Sequence, residues 1–208
     1  MKPYAAIILA AGLSSRMKQF KPLLTIGSET ITRRLISTFL SNGVEVYLVT
    51  GYRGNELKKT IQNLEVTIIE NKDYEKGMFS SVQAGVRALK PGHKAFFVNP
   101  VDMPLVSPTT IKQLIAAYEI HSGKIVYPMY RGDYGHPPLL PMTLVPAIEQ
   151  FKGEGGLRAL LALYGKLSIA VNVPDKNILV DIDTIEDYKT ITANFNSNHG
   201  SIKDKTGE

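Results

Sequence analysis

The chain has 208 residues, 44% of them apolar and 21% charged, enough for one α/β domain with a sizeable core. It has no cysteine, which excludes disulfides and thiolate metal sites, and no apolar run long enough to span a membrane. The 24 basic and 19 acidic residues leave a net charge of +5, with no dense Lys/Arg block and no aromatic-basic alternation. That balance suits an anionic small ligand better than a nucleic acid, and a cytoplasmic protein is expected.

The first element is Ala5 to Ala10, six apolar residues with no polar alternation. This reads as a strand buried on both faces, in the middle of a parallel sheet. The run is short and continues into a basic loop, so it is read as a first strand rather than as a signal peptide. In such a sheet the ligand lies outside the carboxyl ends of the strands, which places it against the loop from Ala11 to Lys21. Gly12 permits close backbone approach, and Arg16 and Lys21 supply positive charge for phosphate. The loop lacks the three glycines of the dinucleotide fingerprint and the Gly-Lys-Ser/Thr ending of the P-loop.

Strand and helix patterns then alternate. Ile31, Leu35, Phe39 and Leu40 mark a helix closed by Asn42-Gly43. Val44–Val49 reads as a strand, Asn55–Asn63 as a helix and Val66–Ile69 as a short strand. Ser80–Leu89 reads as a helix stopped by Pro91-Gly92, and Ala95–Val98 as a buried strand. Ser107-Pro108 opens a helix with apolar positions at Ile111, Leu114, Ile115 and Tyr118. Ile125–Tyr127 is a strand, Leu157–Leu163 a helix and Leu167–Val173 a strand. Thr184 opens a last helix, with Asp187 in a capping-box position. Residues 130–141 are less regular and suggest an antiparallel excursion. The pattern predicts a three-layer α/β/α sandwich with a mostly parallel, Rossmann-like sheet. A single domain is expected over 1–192, with a disordered polar tail over 193–208.

Several groups have the residue types for chemistry. Asp102, in Asn99-Pro-Val-Asp-Met-Pro104, follows a buried strand and should face the first loop. A carboxylate opposite a phosphate loop calls for a cation, and magnesium takes one or two carboxylates plus phosphate oxygens. The alternative is a turn cap before Pro104. Alternation puts Asp181 and Asp183 on one side of an extended segment, where either is a second metal ligand or a helix-capping group. Asn71, Gly77, Ser80 and Ser81 lie between a strand and a helix, suited to contacting a nucleotide or to capping. His136, in Gly132-Asp-Tyr-Gly-His-Pro-Pro138, is a structural histidine, or a metal ligand or acid/base group, although no second His stands at ligand spacing. Arg158, after Gly153-Glu-Gly-Gly156, is an anion grip or part of a plain connection. No nucleophile–histidine–acid arrangement stands out.

Leu9-Ala-Ala-Gly-x-Ser-x-Arg-Met17 with Lys21-x-Leu-Leu24 resembles the start of the MobA-like nucleotidyltransferases, and most of all their molybdenum cofactor cytidylyltransferases. Gly77-x-x-Ser-Ser-Val-x-x-Gly85, Val101-Asp-Met-Pro104, Gly135-His-Pro137, Gly153-x-Gly-Gly-x-Arg158 and Asp181-Ile-Asp-Thr-x-Glu-Asp187 follow in the family's order. The resemblance spans roughly residues 4 to 190 and implies the nucleotide-diphospho-sugar transferase type of fold. It implies transfer of CMP from CTP to the terminal phosphate of a molybdopterin-type cofactor, with release of pyrophosphate. A molybdenum hydroxylase would be the client. On this reading Leu9, Ala10, Ala11, Gly12, Ser14, Ser15, Arg16, Lys21, Asn71, Gly77, Ser80, Ser81 and Asp102 contact the nucleotide. Arg16, Lys21 and Asp102 carry catalysis, Asp102 and Asp183 hold magnesium, and His136 and Arg158 bind the acceptor. Ala11, where guanylyl-transferring relatives tend to have glycine, favours CTP over GTP. Two positions depart from the family pattern: Lys18 replaces a usual glycine beside the triphosphate path, and Ile185 replaces a usual proline. Competing readings are a sugar- or polyol-phosphate nucleotidyltransferase and a non-catalytic carrier or insertion chaperone for the cofactor.

Overall fold

A computed structural model describes residues 2–14, 17 and 19–200, the last three by backbone alone. β1 (Tyr4–Ala10) is buried along its whole length. Its pleat sends Tyr4, Ala6, Ile8 and Ala10 into one apolar core and Ala5, Ile7 and Leu9 into another. The chain continues through a small hairpin, β2 (Thr25–Ile26) and β3 (Glu29–Thr30), then α1 (Ile31–Leu40), β4 (Glu45–Thr50), α2 (Gly54–Thr60) and β5 (Val66–Glu70). Next come α3 (Met78–Arg87), β6 (Ala95–Pro100), α4 (Pro108–Ile120), β7 (Ile125–Tyr130), β8 (Asp133–Tyr134) and β9 (Leu139–Pro141). The last elements are α5 (Val145–Gln150), α6 (Gly156–Ala162), β10 (Ser168–Asn172) and α7 (Ile185–Gly200).

The strands form one eight-stranded sheet in the order β10-β7-β9-β6-β1-β4-β5, with β8 paired to β7; β2 and β3 stand apart. Every neighbouring pair is parallel except those made by β8 and β9. The antiparallel excursion expected between 130 and 141 is therefore the return of β9 between β6 and β7. α1, α2, α4 and α7 cover one face through Leu35, Phe39, Leu57, Leu114 and Ile191. α3, α5 and α6 cover the other through Val82, Val86, Ile148 and Leu160. This is the three-layer α/β/α sandwich predicted from the alternation. Among the described residues no helix is long and apolar enough to cross a membrane.

The helix starts follow their capping chemistry. Ser107 Oγ accepts from the Thr110 N–H at 3.1 Å, and Pro108 takes the first helical position, where its missing N–H costs nothing. Thr184 and Asp187 form the reciprocal box: Thr184 Oγ1 accepts from the Asp187 N–H (3.1 Å), and the Asp187 carboxylate accepts from the Thr184 N–H (2.7 Å).

Some elements differ from expectation. The hairpin and α5 were not predicted; both are too short to show a period. A tail was expected from residue 193, but α7 runs on to Gly200. Phe195 supplies the reason, since its ring lies under the Arg34 guanidinium at 4.4 Å.

Close packing of α3 on β1 rests on Gly85. A Cβ there would lie 2.4 Å from Cγ2 of the fully buried Ile7. Gly85→Ala is therefore expected to lower the melting temperature by a few degrees. Overpacking costs about 1–3 kcal/mol, more than the ~1 kcal/mol that alanine gains in helix propensity. An unchanged Tm in thermal denaturation would show that Ile7 can repack.

Candidate active site

β1, β4, β5 and β6 run parallel, so their carboxyl ends share one edge of the sheet. The loops leaving that edge are stitched together by backbone bonds. The Val101 N–H donates to the Leu9 carbonyl (3.0 Å), the Tyr52 N–H to the Ala11 carbonyl (3.2 Å) and the Asn71 N–H to the Thr50 carbonyl (2.8 Å). The loop after β1 closes on itself. Ser14 takes a left-handed conformation (φ 54°), and its Oγ accepts from the Lys21 N–H at 3.1 Å. Met17, fully buried, anchors the loop in the core. A side chain at Gly12 would meet no protein atom within 4 Å, so the space above its backbone is open.

Two acidic segments converge on Lys21. Its Nζ lies 2.8 Å from Asp183 Oδ1 and 3.7 Å from Asp102 Oδ2, and the residue is only 7% exposed. The Ile182 N–H donates to the Asp102 carbonyl (2.9 Å), pinning the segments together. Ile182 is buried, so alternation turns Asp181 and Asp183 toward the open side, where both line the same cavity. Burial pushes the Asp102 pKa up; Lys21 pulls it back, and the charges of Asp183 and Asp181 raise it again. Carboxylates this close, on oxygen donors alone, suit a hard divalent cation. Among the described residues no group of three or more potential ligands could hold a metal by itself.

Two cavities flank Asp102. The smaller, about 490 Å³, is lined by Leu9, Ala10, Ala11, Gly12, Ser14 and Lys21 on one side and Tyr74, Gly77 and Ser81 on the other. The larger, about 850 Å³, is lined by Asp102, Asp181 and Asp183, by His136 and Arg158, and by the rings of Phe79, Tyr127 and Tyr134. They meet at Leu9, Gly77, Met78, Pro100 and Asp102. The amino end of α3 opens at this junction with no side-chain cap, so its N–H groups favour an anion there.

The fold thus gathers most of the predicted residues around one cleft. Asn71 and Ser80 are placed differently from the rest, outside both cavity linings. Asn71 is buried and donates through Nδ2 to Ser80 Oγ (2.8 Å) and Ser81 Oγ (3.0 Å), while Ser80 Oγ donates to the Gly77 carbonyl (2.8 Å). Both brace the loop that carries Gly77 and Ser81. Ser15 and Arg16, like Lys18, lie outside the described residues. Burial pushes the His136 pKa down, which keeps the ring neutral at neutral pH, and its Nδ1 is buried without a partner among the described residues. Sequence reasoning passed over Phe79, Tyr127 and Tyr134. Tyr127 carried a signal, as an aromatic polar residue near the end of an otherwise apolar strand; Tyr134 carried none.

The chain was compared with known proteins. Residues 6–169 match the MobA-like NTP transferase domain. The molybdenum cofactor cytidylyltransferase of Escherichia coli is 34% identical over 191 residues, which cover 91% of this chain and 96% of that protein. A nucleotidyl transferase structure from Methanothermobacter superposes with a TM-score of 0.81 at 24% identity, covering 94% of this chain and 98% of the other. A Mycobacterium tuberculosis protein solved in complex with manganese superposes with a TM-score of 0.73 at 20% identity, covering 91% and 97%. These last two show a shared fold.

Proposed function

The chain belongs to the MobA-like NTP transferase family, and from that premise we propose that it transfers CMP from CTP to the terminal phosphate of a molybdopterin-type cofactor, releasing pyrophosphate. The observation that carries this reading is the meeting of two cavities at Asp102, one under the loop after β1 and one larger and lined in part by aromatic rings. A two-substrate phosphoryl reaction needs such an arrangement, because the acceptor must approach the α-phosphorus opposite the leaving pyrophosphate.

The nucleotide occupies the smaller cavity, its phosphates over Gly12 and beside Lys21 and the amino end of α3. The Ala11 methyl narrows the space available to the base, which favours CTP. The acceptor occupies the larger cavity, with Arg158 and His136 along its path. An acceptor phosphate oxygen forms the new bond to the α-phosphorus as the bond to pyrophosphate breaks. A phosphate monoester is already anionic at neutral pH, so no general base is needed. Lys21 and Arg16 neutralise the triphosphate, and positioning with charge neutralisation supplies the rate. Asp102 and Asp183 would hold magnesium, which when bound supplies positive charge to the phosphate oxygens. A molybdenum hydroxylase is the client that this product implies.

Pyrophosphate release with magnesium and each of CTP, GTP, UTP and ATP, with and without molybdopterin, tests the reading. Release is expected only with CTP and molybdopterin together. Release with a sugar or polyol phosphate instead would establish that other acceptor class. Tight molybdopterin binding with no release from any nucleotide would make the protein a carrier.

A further inference from the structure

The larger cavity combines charged and polar groups, among them Asp102, Asp183, His136 and Arg158, with the aromatic rings of Phe79, Tyr127 and Tyr134. Of these rings Tyr134 is 63% exposed, unusual for so large a ring on a sheet strand. The ring is nevertheless fixed. β8 pairs Tyr134 with Met129 of β7, the adjacent Gly135 N–H donates to the Pro128 carbonyl (2.9 Å), and Tyr127 meets the ring edge-to-face at 5.6 Å and 86°. Gly135 packs closely on Ile178: a Cβ there would lie 2.5 Å from the Ile178 carbonyl oxygen, and the next residue's N–H donates to that same oxygen at 2.9 Å. Tyr134 is thus an aromatic surface held in place and left uncovered, in the cavity assigned to the acceptor.

We propose that Tyr134 is the platform on which a planar conjugated ring of the acceptor stacks, and so the residue that selects a heteroaromatic phosphate over a sugar or polyol phosphate. The inference rests on the assignment of the larger cavity to the acceptor. The acceptor ring lies over Tyr134 while the phosphate reaches toward Asp102. A flexible polyol would need hydrogen-bond partners spread along its length, and the rings of Phe79, Tyr127 and Tyr134 offer mainly carbon. Stacking adds orientation as well as affinity, because it sets the direction from which the phosphate enters the junction.

The test uses neopterin monophosphate, a fluorescent pterin with a phosphate monoester, titrated into the full chain with magnesium. Tyr134→Ala is expected to weaken binding by about 5- to 150-fold, the span that ring-on-aromatic stacking covers. Tyr134→Leu, which keeps apolar bulk without a π face, should weaken it similarly, and Tyr134→Phe should stay within about twofold. Erythritol 4-phosphate at equal concentration should not displace the pterin. The dissociation constant for CTP with magnesium, measured without acceptor, should be unchanged in all three variants, which separates a stacking role from a general loss of structure. Equal pterin affinity in wild type and Tyr134→Ala, no pterin binding by wild type, or displacement by erythritol 4-phosphate would each overturn the proposal. Tyr134-dependent pterin binding without CTP-dependent pyrophosphate release would defeat the proposed reaction and leave the platform standing. CTP-dependent release that ignores Tyr134 would do the reverse.

Discussion

Asp102→Asn is expected to lower turnover by at least about a thousandfold while leaving the protein folded. Asp102 is where the two cavities meet, 3.7 Å from the Lys21 ammonium and backed by Asp181 and Asp183. An amide keeps the shape and loses the charge that holds a cation, so the loss should fall on kcat more than on the KM for CTP. Stability should move the other way. Burial raises the Asp102 pKa, so the folded state holds its proton more tightly than the unfolded chain. The group's stabilising contribution is full below the unfolded pKa and is lost as pH rises through the folded pKa; at neutral pH its charge is a cost. Asparagine removes that cost, and Tm at pH 7 should be unchanged or higher. Magnesium should raise the Tm of the wild type and not of the variant. Wild-type turnover in Asp102→Asn would remove Asp102 from the reaction.

Where the sequence was legible, the signal was local. β1 reads from six consecutive apolar residues because both its faces are buried. The starts of α4 and α7 read from Ser107-Pro108 and Thr184–Asp187 because a cap is a contact across three positions. The cleft was legible as a set of loops at the carboxyl edge, since the sheet's direction follows from the alternation. What stayed hidden depends on contacts between distant parts of the chain. Lys21 meets Asp183 across 162 positions, a pairing no spacing rule predicts. Ser80 was read as a nucleotide contact or a cap, because serine at a helix start suits both roles; its hydroxyl accepts from Asn71 and donates to the Gly77 carbonyl. Tyr134 lay within the Gly132–Pro138 segment singled out for His136 but was given no role, because a tyrosine in this irregular stretch between β7 and β9 announces nothing until Tyr127 and the cavity stand beside it.

Lys21→Ala is expected to lower kcat/KM for CTP by about 10²–10³, less than the aspartate variant but through the same junction. The residue is held at both ends. Its backbone N–H donates to Ser14 Oγ at 3.1 Å, and its Nζ donates to Asp183 at 2.8 Å, so the charge is already in place before any phosphate arrives. Arginine should not substitute: a planar fork does not fit a site shaped for a compact ammonium at 7% exposure. The variant also has a pH signature. Lys21 is the charge that pulls the Asp102 pKa back down. Without it the carboxyl takes up its proton at higher pH, and the residual activity, which needs the carboxylate, should lose its acid limb at higher pH than the wild type does. The ion pair is partly open, with the Asp183 side chain 30% exposed, so the fold should lose only about 1–3 kcal/mol, below the figure for a fully buried pair. A pH–rate profile of both proteins decides the matter. An upward shift of the acid limb together with the fall in kcat/KM ties Lys21 to Asp102 as one electrostatic unit. A fall in rate with an unmoved acid limb would confine Lys21 to binding the phosphates, and unchanged kinetics would take it out of the site.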